Sequence, residues 1–310
     1  MAKSTVETLP ALRFDVRHIR AFLIVAEELH FGKAAERLFT SQPALSRMIR
    51  ALEQGTEVAL LERSTRRVRL TSAGEAFAAE CRLAYGHLLR AKPAAMDAAA
   101  GRGGQLRVGY MDFAINGRLP TLLREYRSLY PDVSVEMEYN PSARQCLALL
   151  EGRLDVGFVI GEFPSQKVRS LLVDQNEYVA LLPDTHPLSA QASLQLADLA
   201  GEPFVIGTES AFGAFRRLLF PLCHNADFFP NIVQQASNTS GIMGMIAAGV
   251  GVSVYASCVR NAVRTGVAVR PLSDIADRIP TCAIWSTENP SETLRGFTEF
   301  LVGHIREHGV

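Results

Sequence analysis

At 310 residues, 48% hydrophobic and 21% charged, the chain is too long for one ordinary core and too apolar for a disordered protein, so two or three globular domains are expected. Its 32 Lys and Arg offset 32 Asp and Glu, so net charge names no partner, yet residues 1–100 hold 15 basic against 11 acidic groups and put the positive field at the N-terminus. The opening MAKSTVETLPALRFDVRHIR lacks the apolar centre of a signal peptide, and no apolar run reaches the roughly 18 residues of a membrane span, which predicts a cytoplasmic protein with no membrane partner.

Residues 15–62 read as short helices. VRHIRAFLIVAEEL sets Ile19, Phe22, Leu23 and Ala26 on one face, and GKAAERL is a second helix. After FTSQP a third begins in SQPALSRMIRALEQ, with Ser41 or Thr40 as N-cap and Pro43 in its first turn. Leu45, Ile49 and Leu52 share one side of this helix, Met48 at the edge, while Pro43, Ser46, Arg47 and Arg50 lie opposite and Ser41 and Gln42 form the tip. Such a face suits a helix that enters the DNA major groove: Gln pairs with adenine, Arg with guanine, Ser with bases or phosphate. ALLERSTRRVRLT then reads as a two-stranded hairpin that carries Arg63, Arg66, Arg67 and Arg69 within seven residues, placed to reach phosphates or the minor groove. Taken singly, the helix face and the Arg run are equally readable as solvated surface; their separation along the chain favours DNA binding.

From Ser72 a long Ala-rich helix is predicted, roughly 40 Å at 1.5 Å per residue, too long for so small a domain to bury and therefore suited to pairing with another chain. Pro93 is expected to kink or divide it, and GRGGQ at 101–105 reads as a linker. Beyond Gln105 strands and helices alternate: LRVGY, NGRLPTLLREYRSLY, VSVEMEY, SARQCLALLEG and LDVGFVIG predict a parallel sheet with helices on its faces. EPFVIGT, AFRRLLFPLC, NIVQQA, SGIMGMIAAG and GVSVY repeat the order in a second lobe. EYVALLPDTHPL runs between the lobes, and TCAIWST with a helix over 291–308 returns to the first.

Residues 15–80, with FLIVAEELHFGKAAERLFTSQPALSRMIRALE and LLERSTRRVRLTSAGEAF, resemble the N-terminal winged helix-turn-helix of LysR-type transcriptional regulators. LPTLLREYRSLYPDV, LLEGRLDVGFV and MIAAGVGVSV resemble that family's effector-binding domain. The resemblance implies a winged helix-turn-helix over 1–71, a linker and dimerisation helix with hinge over 72–104, and a two-lobed α/β domain of periplasmic-binding-protein type over 105–310. Lobe I is expected over about 105–180 and 281–310, lobe II over about 181–280. It implies a homo-oligomer, commonly a tetramer, on double-stranded promoter DNA, with a small-molecule co-inducer between the lobes, no other cofactor, and RNA polymerase as a further partner. Carried over by position, Ser41, Gln42, Pro43, Ser46 and Arg47 are base or groove contacts, and Arg50, Arg63, Arg66 and Arg67 are phosphate or wing contacts. One departure is Thr56-Glu57 where the family usually has Leu-Gly; with Gly55 ahead of it, the recognition helix is expected to end about two residues sooner.

Effector candidates follow from the rule that ligands of open α/β sheets lie beyond the C-terminal strand ends, against helix N-termini. They are Met111, Asp112, Phe113 and Asn116 after the first strand, Asn140 and Ser142 after the second, and Gly161 and Phe163 after the third. The second lobe contributes Thr208, Glu209, Phe212, Ser237, Asn238 and Thr239. Ser, Thr and Asn at helix starts favour a carboxylate, and Phe113, Phe163 and Phe212 an apolar wall; Asp112 and Glu209 argue for an amine or hydroxyl instead. Loop capping or lobe packing is the competing role of each. The phrasing EGRLDVGFV is similar to the branch of the family that senses aromatic-catabolism acids.

The five cysteines form no CxxC pair, and the seven histidines show no metal spacing. Without a GxSxG, HExxH or P-loop pattern no enzyme or catalytic residue is expected. A redox-responsive regulator of the same family, and a solute-binding protein without DNA function, remain the alternatives.

Overall fold

The computed structural model describes residues 12–63, 67–99, 103–163 and 165–310, except the side chains of Arg63, Arg90, 92–94 and 96–99. The chain forms two compact units, Met1–Lys92 and Pro93–Val310.

The first unit holds helices α1 (Val16–Glu28), α2 (Phe31–Arg37) and α3 (Gln42–Thr56), strands β1 (Leu61–Arg63) and β2 (Val68–Leu70), and the start of α4 (Ser72–Ala99). Local chemistry sets each boundary. The Asp15 carboxylate accepts from Arg17 N at 2.9 Å to open α1, which closes on Leu29 in the left-handed region. Ser41 Oγ accepts from Ala44 N at 3.3 Å to open α3. The apolar faces of all three meet over Phe22, Val25, Ala34, Leu45, Ile49 and Leu52, and α4 closes this core with Ala78 and Cys81. β1 and β2 pair antiparallel, Leu61 opposite Leu70 and Arg63 opposite Val68. Glu53 Oε1 accepts from Leu60 N at 3.0 Å and Leu61 N at 3.1 Å, which fastens the hairpin to the end of α3.

The early stop expected for the recognition helix does not occur. α3 continues through Gly55 to Thr56, and Glu57, at φ 59°, takes the C-cap. Gly55 serves close packing instead: a Cβ there would meet the Phe14 ring at 3.1 Å and the Arg13 carbonyl at 3.2 Å. Nor does Pro93 divide α4, which is helical from Ser72 to Ala99; the Ala-rich flanks supply the highest helix propensity against that one lost bond.

In the second unit β3 (Gln105–Tyr110), α5 (Asp112–Asn116), α6 (Leu119–Leu129), β4 (Ser134–Tyr139), α7 (Ser142–Leu150), β5 (Val156–Ile160) and β6 (Val168–Asn176) make lobe I. The chain then enters lobe II through β7 (Tyr178–Pro183), β8 (Pro203–Gly207), α8 (Glu209–Asn225), β9 (Asn231–Ala236), α9 (Thr239–Ala247), β10 (Ser253–Ala256) and β11 (Val267–Pro271). It returns through β12 (Ile279–Ser286) and ends in α10 (Glu292–His308). Short 3-10 turns occupy Pro187–Ala190, Leu196–Leu199 and Ser257–Ala262.

The lobe I sheet has the order β4-β3-β5-β12-β6. It is parallel through β4, β3 and β5, but β12 runs antiparallel to both its neighbours, so the sheet is mixed rather than wholly parallel. The returning chain comes back from lobe II in the opposite sense, which dictates that reversal. Lobe II pairs β8 with β9 in parallel and sets β7 between β10 and β11. Since β7 already belongs to lobe II, the first crossing falls at Glu177, slightly before the expected 180, and the return falls before Ile279.

Candidate DNA-reading surface and effector cleft

The amphipathic division of α3 positions the first site. Leu45, Ile49 and Leu52 are wholly buried, so the opposite side faces outward: Ser41, Gln42, Pro43, Arg47 and Arg50 are exposed and Ser46 is half-buried. Neighbouring cations are engaged elsewhere, Arg37 with Glu27 at 2.6 Å and Glu28 at 2.9 Å, and Arg13 with Glu57 at 3.1 Å. Arg47 and Arg50 form no such pair among the described residues, which leaves their guanidinium groups available to an outside anion. Arg63 lies in β1 opposite Val68, and Arg67 is exposed just ahead of β2; Arg66 lies outside the described residues. Spacing did not single out Phe39. It lies in the turn between α2 and α3 at φ 53° and is 98% exposed.

The second site lies where lobe I meets lobe II. Phe113, from the first turn of α5, is buried against three rings of lobe II: Tyr255 at 4.7 Å, Phe215 at 5.1 Å and Phe212 at 6.3 Å between centroids. Two hydroxyls flank this knot. Tyr139 donates to Asp112 Oδ2 at 2.7 Å, and Tyr255 shares a short hydrogen bond with Thr239 Oγ1. Burial first, and the Asp112 charge after it, push both phenols far above their ordinary range, so both remain protonated donors. Behind the rings, a void of about 10 Å³ bounded in part by Gly207, Arg216 and Ile242 has room for at most one water.

Among the predicted effector residues, Asp112, Phe113, Phe212 and Thr239 belong to this assembly, and Met111 is its buried N-cap. Others tie down their own loops. Asn140 Nδ2 donates to Glu138 at 2.6 Å, Ser142 Oγ accepts from Ile160 N at 3.1 Å, and Asn238 Oδ1 accepts from Gly241 N at 2.8 Å. Thr208 Oγ1 lies 3.3 Å from Ser210 Oγ, Ser237 is exposed, and Gly161 turns the chain at φ 76°. The Asn116 carbonyl accepts from Asn261 Nδ2 of lobe II at 2.7 Å, a direct bond between lobes. Phe163 does not join the wall with Phe113 and Phe212. It packs on a separate cluster with Cys146, Leu149 and Val159, because the chain turns away after Gly161. Glu209 is exposed, with its carboxylate 3.1 Å from Arg216, so its charge is already matched. Tyr139, Phe215 and Tyr255 were missed. Tyr139 ends a strand, so the strand-end rule that chose Asn140 would have reached it one residue earlier.

All five cysteines are free and buried. Burial pushes Cys81 up to about 11 and Cys146, Cys223 and Cys258 up to about 12. Thiols so disposed are poor nucleophiles at neutral pH.

Residues 16–75 match the description "Bacterial regulatory helix-turn-helix protein, lysR family", and residues 99–306 match "LysR substrate binding domain". The chain is 33% identical over 283 residues to the HTH-type transcriptional regulator AlsR of Bacillus subtilis strain 168, covering 91% of this chain and 94% of AlsR. It is similar in structure to CbnR, a LysR family transcriptional regulator, with TM-score 0.67 and 25% identity over 94% of this chain and 99% of that one. CbnR in full-length complex with its target DNA gives TM-score 0.65 and 25% identity, covering 95% and 99%. The effector-binding domain of BenM with its effector benzoate shares the fold at TM-score 0.59 and 20% identity, over 67% of this chain and 96% of that domain.

Proposed function

The chain belongs to the LysR family of transcriptional regulators, a DNA-binding regulator with an effector-binding domain and not an enzyme, and from that premise we propose how its residues divide the work. We read 1–71 as the DNA-binding domain, 72–104 as the linker through which copies pair into a homodimer or tetramer, and 105–310 as the sensor. α3 enters the major groove of a promoter site, where Ser41, Gln42, Pro43, Ser46 and Arg47 meet bases or groove edges. Arg50, Arg63, Arg66 and Arg67 meet phosphates, with RNA polymerase as a further partner on the promoter and the cytoplasm as the site of action. The observation that carries this reading is the two-sidedness of α3: Leu45, Ile49 and Leu52 fully buried, Gln42, Pro43, Arg47 and Arg50 exposed.

For the sensor we favour a small organic effector between the lobes. The rings of Phe113, Phe212, Phe215 and Tyr255 offer an aromatic surface, and Thr208, Ser237 and Asn238 stand at the starts of α8 and α9, where a carboxylate is favoured. Benzoate in the related BenM domain is consistent with such a ligand. The tight packing of Phe113 implies a mechanism. A ligand that lodges at the knot must move Phe113 off the lobe II rings, and its affinity difference between the two arrangements shifts the balance of the sensor.

Fluorescence anisotropy on the DNA upstream of the protein's own coding sequence, with and without a panel of small aromatic and aliphatic acids, tests both parts. A rise in anisotropy whose midpoint changes with one acid is expected. No binding to that DNA under any condition would overturn the groove assignment; binding indifferent to every acid, with no thermal shift, would overturn the carboxylate class.

A further inference from the structure

We propose that Phe39 is a specificity residue, its ring meeting the C5-methyl group of a thymine in the major groove beside the start of α3. At 98% exposure it is the most exposed large hydrophobic among the described residues. Neither the core nor the turn accounts for a phenylalanine at this position. Leu38, beside it, is the residue that packs inward, and Phe39 makes no ring contact among the described residues. Its φ of 53° is a conformation that asparagine or glycine adopts more readily than a bulky side chain. The turn is nevertheless well fixed: Phe39 N donates to Glu36 O and Thr40 N to Ala35 O, each at 3.0 Å. A single exposed apolar side chain is ordinary on a protein surface; what sets Phe39 apart is that the backbone also disfavours it, in a turn next to the start of the reading helix.

The partner follows from position. Phe39 is two residues before Ser41, the N-cap of α3, and three before Gln42, so its Cα lies within about 11 Å of that of Gln42 even at full extension. The N-terminal turns of a recognition helix are the part that reaches base edges. The major groove displays one apolar feature, the thymine methyl, and phenylalanine is among the side chains that meet it. The contact adds an apolar reading to the polar one of Gln42 and Arg47, and it rests on α3 occupying the groove.

The test alters the DNA as well as the protein, so folding does not confound it. The operator is first mapped by footprinting, and each thymine in it is then replaced singly by uracil, which removes only the methyl. Wild-type binding is expected to weaken about three- to four-fold at one or two positions per half-site, the effect of one methyl group left in water. Phe39→Asn, which suits the backbone, is expected to bind the operator about ten-fold more weakly and to lose the uracil sensitivity, with affinity for a random duplex unchanged. Wild-type affinity in Phe39→Asn, uracil sensitivity that persists in it, or an effect confined to oligomeric state in sedimentation would each overturn the proposal. Arg47→Ala separates the two readings: loss with Arg47→Ala alone removes the Phe39 contact and keeps α3 in the groove, whereas loss with neither variant removes both.

Discussion

A redox-responsive regulator needs a reactive thiol, and the surroundings of Cys223 and Cys258, two of the five buried cysteines, argue against one there. A thiol pushed up to about 12 by burial is almost wholly protonated at neutral pH, and the thiolate is the reactive form. The native protein at pH 7.5 is therefore expected to react with iodoacetamide or peroxide far more slowly than the unfolded chain, and Cys223→Ser and Cys258→Ser are expected to keep their effector response. Rapid sulfenic acid formation at either position, followed by mass spectrometry, would reverse this. The same shift has a thermodynamic sign. Because the folded state holds these thiols protonated, stability is retained below their ordinary value of 9.0 and is lost as pH climbs from there toward 12. At this scale, residues that sit at strand ends or helix starts, such as Asp112 and Ser41, were legible from local pattern. The meeting of Phe113 with Phe215 and Tyr255 was not, since it pairs residues more than a hundred apart in the chain and no local pattern encodes it.

Among the elements, the junction of hairpin and α4 shows how a motif encodes a fit. In LTSAG, Thr71 Oγ1 accepts from Gly74 N at 2.9 Å and donates to Ala59 O at 2.8 Å, while Gly74 presses on the backbone carbonyl of Leu60. A Cβ at position 74 has nowhere to go, since the obstacle is main chain. Gly74→Ala is expected to cost about 1–3 kcal/mol and lower the melting temperature of the DNA-binding unit, read by differential scanning calorimetry; a variant as stable as wild type would show that the junction relaxes freely. The start of α3 is expected to respond as well. Ser41→Ala removes the cap and costs about 1 kcal/mol in denaturant unfolding, before any effect on DNA is counted. Elements with one apolar stripe, α1, α3 and α6 among them, were legible from spacing alone. The far end of α3 was not, because Gly55 looked like a stop signal when its real constraint is the proximity of Arg13 and Phe14. β6 was also missed: its half-exposed VRSLLVDQN lacks the alternation of a one-sided strand, and it becomes a strand only by pairing with β12.

Across the sensor as a whole, the hinge gathers on one buried side chain. Asn176 Oδ1 accepts from Cys258 N at 2.7 Å and from Ser257 Oγ at 3.1 Å, so the end of β6 holds the 3-10 turn of lobe II, and that turn reaches back through Asn261 to Asn116. Asn176→Ala would strand the Cys258 amide without a partner. It is expected to destabilise the sensor by about 1–3 kcal/mol and to raise hydrogen exchange across Ser257–Ala262. Unchanged exchange there would place the mechanical link between lobes elsewhere.

The position of β12 also sets an order of manufacture. It is the strand between β5 and β6, and among the described residues β6 has no other sheet neighbour, yet it is reached only after all of lobe II has been made. On the ribosome, the DNA-binding unit has its whole hydrophobic core available early, while the sheet of lobe I stays split until residues 279–286 emerge. A newly made regulator thus has a folded reading head before it has a working sensor. A chain truncated ahead of Ile279 would leave the edges of β5 and β6 open to pairing with other molecules, and it is expected to aggregate in a translation assay where the full chain stays soluble.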